Sequence, residues 1–598
     1  MNRKNFLKAT LGSFFAGIGG ITGYSFFANG NYKKDFPNVP ENHKNLPPNG
    51  KTVCILGAGL AGLQAGCELS SRGFKVILLE KTAHAGGKLK TWKDKHFARK
   101  YFGKKGYSRE HGLHAIWGFY KNLREFLGRY NIKINQLGKY DSFYYFISNR
   151  GVHNKIRNTT WPVPFDRIEM LNNGVYIPSR EDIQKSDLDP VDMLSASSKM
   201  WGFDFLDAEE RSYLDSITFY DWATQNGMSV EYIKHFFDAL SEMGFFMTTK
   251  ECSALAVFNF MCLGNLPADS RVDFFKWPPD ETFINPMVEF IQSKGGEFHF
   301  LHEVTSVQRD SNGKIQSVAT NQSLPKGRFK RCRICGNIMG EGDYEHCPFC
   351  GAHASELESV FNPPSKVITA DHFVVAMDVI GAKKFLQTSS LSKEDEYFQK
   401  IGNLTNAQIL CVNLLYENSN FWDKKFPEGP KSAMDFMPTG FEYLGFTSNW
   451  SSKQIPELKA LGADLIEVQV SKWKELLRYS HKEIADLVHG ELKQIFPDIK
   501  PYSEFYINRW DTYTGFRPGD EANRPQIQSP IENLLFIGDW VFVDQHSVFM
   551  ERTNVMAKTV TNLLLEKIGS TEGKLTILKS GTPDPLIGML KFFTKVRS

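Results

Sequence analysis

Val53-Cys54-Ile55-Leu56-Gly57-Ala58-Gly59-Leu60-Ala61-Gly62 decides how this chain folds. Thr52 to Leu56 is a short apolar strand, and it runs directly into three spaced glycines. Gly57 permits a tight turn, Gly59 lets bare backbone approach a pyrophosphate, and Gly62 lets the following helix pack close to the strand. That helix reads from Leu60 to about Arg72, and its free N–H groups and positive dipole end face the same point. A second strand, Lys75 to Glu80, follows, and Glu80 at its end is placed to accept hydrogen bonds from ribose hydroxyls. Spaced glycines alone are common. Strand, glycines, helix, strand and acid in this order predict a dinucleotide site.

The continuation selects FAD over NAD. Glu80-Lys81 is followed by Ala85-Gly86-Gly87-Lys88 and then Thr91-Trp92, a second glycine pair that brings backbone to the same dinucleotide. Far along the chain, the strand Asn533 to Ile537 delivers Gly538-Asp539-Trp540 to a loop, with a helix from about Arg552 to Lys567 beyond it. Phe298 to Val307, Lys314 to Thr320 and Lys366 to Met377 alternate as strands. Val304, after Glu303, is placed for backbone contact with adenine. The predicted cofactor residues are therefore Gly57, Ala58, Gly59, Gly62, Glu80, Lys81, Gly86, Gly87, Lys88, Val304, Gly538 and Asp539.

A chain of 598 residues has room for more than one domain, and 41% hydrophobic with 23% charged residues is ordinary for a globular protein. The net charge of +4 gives nucleic-acid binding no support. The 48 phenylalanines predict a phenylalanine-rich core. Of nine cysteines, Cys54, Cys67, Cys252, Cys262 and Cys411 are scattered and read as buried thiols. The other four form two C-x2-C-G turns, Cys332 with Cys335 and Cys347 with Cys350. Such turns bring four thiolates onto one ion, tetrahedral zinc or a single iron. The stretch sits between two predicted strands and is bounded by turn-prone segments, so a surface excursion is expected.

Further resemblances narrow the reading. Gly86-Gly87-Lys88, Trp92-Lys93-Asp94, Glu110-His111-Gly112-Leu113-His114 and Gly118 to Leu123 resemble plant-type phytoene and ζ-carotene desaturases. Phe516-Arg517-Pro518-Gly519, Arg524-Pro525, Gly538-Asp539-Trp540 and Met550-Glu551-Arg552 resemble isorenieratene synthase. Ala370 to Ala376 resembles a strand that both groups carry. The resemblance implies an α/β, two-domain FAD-binding fold of the Rossmann-like, amine oxidase type, with a mixed α+β substrate domain. It implies removal of hydride equivalents from a carotenoid or other apolar isoprenoid, with Glu110, His111 and His114 nearest the flavin. Lys330-Arg331-Cys332 and Cys347 to Ala352 resemble the rubredoxin-like module of rubrerythrins. Iron there would relay electrons from flavin to an outside acceptor, a quinone or redox protein. Two alternatives stay open: an amine oxidase using O2, and a flavin and metal redox protein without a small-molecule substrate.

The expected organisation assigns 1–30 to a twin-arginine-like signal or membrane anchor and 31–50 to a linker. FAD-binding parts follow at 51–120, 291–320, 361–390 and 511–568, with mainly substrate-domain chain at 121–290 and 391–510. The rubredoxin-like insert takes 321–360 and a tail takes 569–598. Arg3-Lys4 followed by an apolar, Gly-rich run resembles a twin-arginine signal whose second arginine is lysine, pointing to the periplasm. The tail mixes apolar and basic residues from Leu586 to Val596, a candidate membrane-interfacial segment.

Overall fold

A computed structural model describes residues 45–579, less 95, 111–114, 118, 136–141, 149–152, 157–199, 201–202, 206, 266–271, 323–328, 335–337, 340–346, 348–351, 361–362, 420, 423–432, 440, 450–454, 456–457, 459 and 471–472. The N-terminal segment and the apolar part of the tail, with the signal and anchor expectations that fall on them, lie outside the described residues. Among those described, no helix is long and apolar enough to cross a membrane.

Five strands gathered from distant parts of the chain form one parallel sheet. They are β1 (Thr52–Leu56), β2 (Lys75–Glu80), β3 (Glu297–Phe300), β4 (His372–Val375) and β5 (Leu534–Phe536), in the order β3-β2-β1-β4-β5. Val53 to Leu56 are fully buried, as expected of a parallel strand covered on both faces. Helix α1 (Leu60–Ser71) follows β1 and is buried along its whole length. It packs against α3 (Phe549–Lys567), which also touches α2 (Lys121–Arg129). Helix α3 begins earlier than the expected Arg552.

Two expected strands are each broken in two. Phe298 to Val307 turns at Leu301, whose φ is +61°, so β3 ends and a new strand, Val304–Arg309, begins. Lys366 to Met377 divides into Val367–Thr369 and β4. Val304–Arg309, Ile315–Thr320 and Val367–Thr369 then form their own antiparallel sheet. Asp371 marks the second break: its carboxylate accepts from the Thr52 N–H at 2.8 Å, and its own N–H donates to the Thr52 carbonyl at 3.0 Å.

A seven-stranded sheet stands opposite. Its order is Glu504–Thr514, Asn406–Tyr416, Asp464–Val470, Leu444–Asn449, Ala433–Thr439, Ser142–Ser148 and His153–Ile156. Leu410, Val412 and Leu414 pack in one apolar cluster with helix His481–Ile495, which Ser480 and Glu483 open with a capping box. The cysteine segment builds a small antiparallel sheet from Phe329–Cys332, Ile338–Met339 and Leu357–Val360. It does not stand clear of the body as expected. Cys332, Met339 and Cys347 share an apolar cluster with Trp92, and Trp510 packs against it.

Candidate functional site

A cavity of ≈ 510 Å³ opens at the ends of β1, β2 and β4. All the predicted cofactor residues except Ala58 and Gly62 line it. Those two hold the loop from behind. The Ala58 N–H donates to Glu80 Oε2 at 3.0 Å, and the Ala58 carbonyl accepts from the Gly86 N–H at 2.8 Å. Thus the acid at the end of β2 and the second glycine pair both brace the first glycine turn. Gly57 has φ +116°, and a Cβ there would lie 2.7 Å from the Ala376 carbonyl oxygen. A Cβ on Gly62 would lie 2.1 Å from the Gly57 oxygen. Gly59 differs, since a Cβ there would meet nothing nearer than Gly87 Cα at 3.8 Å. Its bareness serves the cavity, not the packing, which is what a pyrophosphate at the head of α1 requires.

Charge is paired across this half. Lys88 Nζ donates to Asp539 Oδ2 at 2.9 Å and lies 5.5 Å from the centre of the Tyr513 ring. Burial opposes ionisation of Asp539, but Lys88, with Arg524 behind, holds its carboxyl below the usual range. Arg524 donates to the Asp539 carbonyl at 3.4 Å and to Glu521 at 2.6 Å. Lys384 pairs with Glu303 at 2.8 Å beside Val304. His302 also lines the cavity. Burial, with Lys366 and His299 nearby, pushes its pKa down to about 4, so its ring is neutral at physiological pH.

Much of the rest of the wall is aromatic, with Lys90, Gln469 and Thr512 among it. Trp117, Phe245, Phe246, Phe260, Tyr513, Phe516 and Phe549 line it, and Phe246 packs on Tyr513 at 4.5 Å. Glu110 is 2% exposed but is not part of the wall. Its carbonyl accepts from Asn508 Nδ2, and its carboxylate adds to the forces that hold the Tyr107, Tyr506 and Tyr513 phenols neutral, burial being the largest. His111 and His114 lie outside the described residues.

Cys332 and Cys347 are 0% and 1% exposed, whereas Cys335 and Cys350 lie outside the described residues. Among the described residues no metal-ligating cluster of three or more His, Cys, Asp or Glu occurs. Cys54, Cys67, Cys252 and Cys411 are buried thiols, pushed up by that burial. Sequence reading missed Trp510, Tyr513, His302, Lys90 and Phe246. They come from strand interiors and loops with no motif. Arg524 and Arg552 lay within quoted motifs, but nothing in their spacing shows that both donate to one carbonyl, that of Asp539.

Comparison with known proteins agrees with this geometry. The family described as flavin containing amine oxidoreductase matches residues 60–330 and 358–558. The unmatched stretch between holds all four clustered cysteines, so the insert is an addition to the family fold. Curated relatives include a 15-cis-phytoene desaturase of Narcissus pseudonarcissus, 25% identical over 83% of this chain and 76% of that one. A zeta-carotene desaturase of Synechocystis sp. is 23% identical over 82% of this chain and 93% of that one. Among solved structures, an engineered putrescine oxidase superposes with a TM-score of 0.59 at 14% identity, over 86% of this chain and 99% of that one. An oxidoreductase from Methanosarcina mazei gives 0.56 at 16% identity, over 85% and 99%. These likenesses show the amine oxidase-type α/β fold. With its glycine turn, its paired charges and more than half its length matched, the chain belongs to the flavin-containing amine oxidoreductase family and is an FAD-dependent oxidoreductase.

Proposed function

We propose that this enzyme removes hydride equivalents from an apolar isoprenoid, a carotenoid foremost, bound in the aromatic half of the cavity. The observation that carries the reading is the cavity itself. One continuous space joins a bare-glycine, charge-paired half to a wall of Trp117, Phe245, Phe246, Phe260, Phe516 and Phe549. Such a wall offers a long hydrocarbon apolar contact and excludes water. The likeness to phytoene and zeta-carotene desaturases supports the same substrate class.

FAD, when bound, supplies the hydride acceptor. In this reading Gly57 and Gly59 present backbone and helix dipole to its phosphates, Ala58 and Gly62 hold that turn from behind, and Glu80 and Lys81 face its ribose. Gly86, Gly87 and Lys88 close on it from one side, Gly538 and Asp539 from the other, and Val304 meets adenine. Glu110 acts from behind the wall, with His111 and His114 on the flavin side. Cys332, Cys335, Cys347 and Cys350 would hold one iron ion, which would supply one-electron chemistry toward a quinone or redox protein. The basic N-terminal segment and the tail attach the enzyme to a membrane surface, where its substrate dissolves.

The test is anaerobic addition of phytoene or ζ-carotene in detergent to the purified yellow protein. The flavin absorbance is expected to bleach with the polyene and not with amines. Bleaching by amines alone, with peroxide released in air, would make the protein an amine oxidase. Bleaching by neither would leave a redox protein without its own substrate, and either result overturns the proposal.

A further inference from the structure

Among the described residues, the wall of the flavin cavity carries four lysines, Lys81, Lys88, Lys90 and Lys384. Lys88 is paired with Asp539 and Lys384 with Glu303, and Lys81 is exposed to solvent. Lys90 is different. It is half-buried, and its ammonium makes no hydrogen bond or ion pair with any described residue. Its Nζ lies 5.4 Å from the centre of the Trp510 ring, whose face attracts a cation without neutralising it. The carboxylates that act on its charge, Glu80 and Asp378, are engaged elsewhere. Glu80 accepts from the Ala58 N–H at 3.0 Å and from the Thr82 N–H and hydroxyl at 2.8 Å, and Asp378 accepts from the Gly381 N–H at 2.7 Å. Burial foremost, with Lys81 nearby, pushes the Lys90 pKa down, so the charge is held there at a cost. Backbone geometry sets the position. Gly86 bridges to Gly59 at the head of α1, and its φ of +111° and lack of a side chain let the loop turn so tightly that a Cβ would lie 3.0 Å from the Lys90 nitrogen and Cα. A half-buried cation in a cavity wall, with no anion of its own, calls for one from a ligand.

We infer that Lys90 is a cofactor-binding residue whose ammonium supplies the countercharge for the diphosphate of FAD. The inference rests on the reading that sets this diphosphate against Gly57 and Gly59. Lys88, which follows the glycine pair directly, does not fill the role, because its charge is committed to Asp539 and ties the second glycine loop to the Gly538-Asp539 corner. The helix dipole of α1 does not fill it either, since a helix N-terminus is worth only about half an elementary charge and a diphosphate is a dianion. Lys90 adds a full charge at the same end of the cavity. Binding then pairs two ions that are each uncompensated apart, which is where a charge-assisted contact contributes most.

The experiment strips the flavin from the full-length protein and titrates it back as FAD, with ADP as a competitor that carries the diphosphate but no flavin ring. Lys90→Met should weaken FAD binding roughly 10- to 100-fold, the worth of a hydrogen bond to a charged group, and should weaken ADP competition by about the same factor. Lys90→Arg, which keeps the charge, should retain most of the wild-type affinity for both. Equal FAD affinity in Lys90→Met and wild type would overturn the inference. So would a loss of FAD affinity with ADP competition unchanged, because the lysine would then serve the ring end or the fold and not the diphosphate. Should Lys90→Met fail to fold by circular dichroism, Lys90→Gln under the same two titrations decides in the same way. Wild-type protein that takes up no FAD at all would instead remove the cofactor reading on which the inference stands.

Discussion

Gly59→Val is expected to give a folded protein that carries no flavin. Gly59 caps α1 with φ −74° and ψ −178°, an extended conformation open to any residue. A Cβ there meets no protein atom nearer than Gly87 Cα at 3.8 Å, so the turn itself has room for a substituent. What a valine would meet is whatever lies in the cavity at the head of α1, where the backbone must touch a diphosphate. FAD affinity should fall roughly 100-fold or more, about 2.7 kcal/mol. The ratio of flavin to protein absorbance measures it, and circular dichroism shows whether the secondary structure is kept. Gly62→Val is the contrast, because a Cβ 2.1 Å from the Gly57 oxygen must push α1 off the turn. That variant should lose fold and flavin together. A yellow Gly59→Val protein with wild-type affinity would place the cofactor elsewhere.

The difference between these two glycines also shows what the sequence could and could not convey. The run from Val53 to Gly62 was legible because backbone geometry leaves few options: a strand must turn at Gly57 and pack at Gly62. The cysteine segment was visible by its two C-x2-C-G pairs. Its attachment to Trp92 and Trp510 was not, because long-range packing leaves no local period. The same holds for the cavity's aromatic wall, whose residues come from helices, loops and sheet strands far apart in the chain. The breaks at Leu301 and Asp371 escaped notice because neither carries a glycine or proline; each is made by backbone geometry or by hydrogen bonds to distant chain. Glu68 with Arg72 and Glu125 with Arg129, each spaced i,i+4, carry no mark in the sequence that would tell a buried pair from a solvated one. The structure buries Glu68, Arg72 and Glu125 and leaves the Arg129 side chain only 8% exposed.

Glu68→Ala is expected to destabilise the folded protein by about 3–5 kcal/mol, the cost of breaking a buried ion pair from one side. Glu68 is fully buried on α1 and compensates two buried arginines at once. Arg72 Nη1 lies 2.9 Å from Oε2, Arg129 Nη2 lies 2.5 Å from Oε1, and the Tyr130 hydroxyl donates to Oε2 at 3.1 Å. Arg129 also pairs with Glu125, which Lys558 reaches at 2.8 Å, so the network ties α1 to α2 and α3. Removing the carboxylate leaves Arg72 with only neutral partners and Arg129 with half its countercharge, both in an interior that cannot rehydrate them. The midpoint of denaturant unfolding at neutral pH reads the loss. Acid should act on the same group. Burial opposes the charged form of Glu68, but Arg129 foremost and Arg72 outweigh it, holding the folded pKa below the ordinary value of 4.5. A depressed carboxylate contributes its full stability above its unfolded pKa and loses it as pH falls through the folded one. Wild type should therefore weaken progressively below about pH 4.5, while Glu68→Gln, already weaker at pH 7, should show a shallower decline over that window. Equal midpoints for Glu68→Ala and wild type at pH 7 would mean that the three-helix network carries no stabilising charge at all.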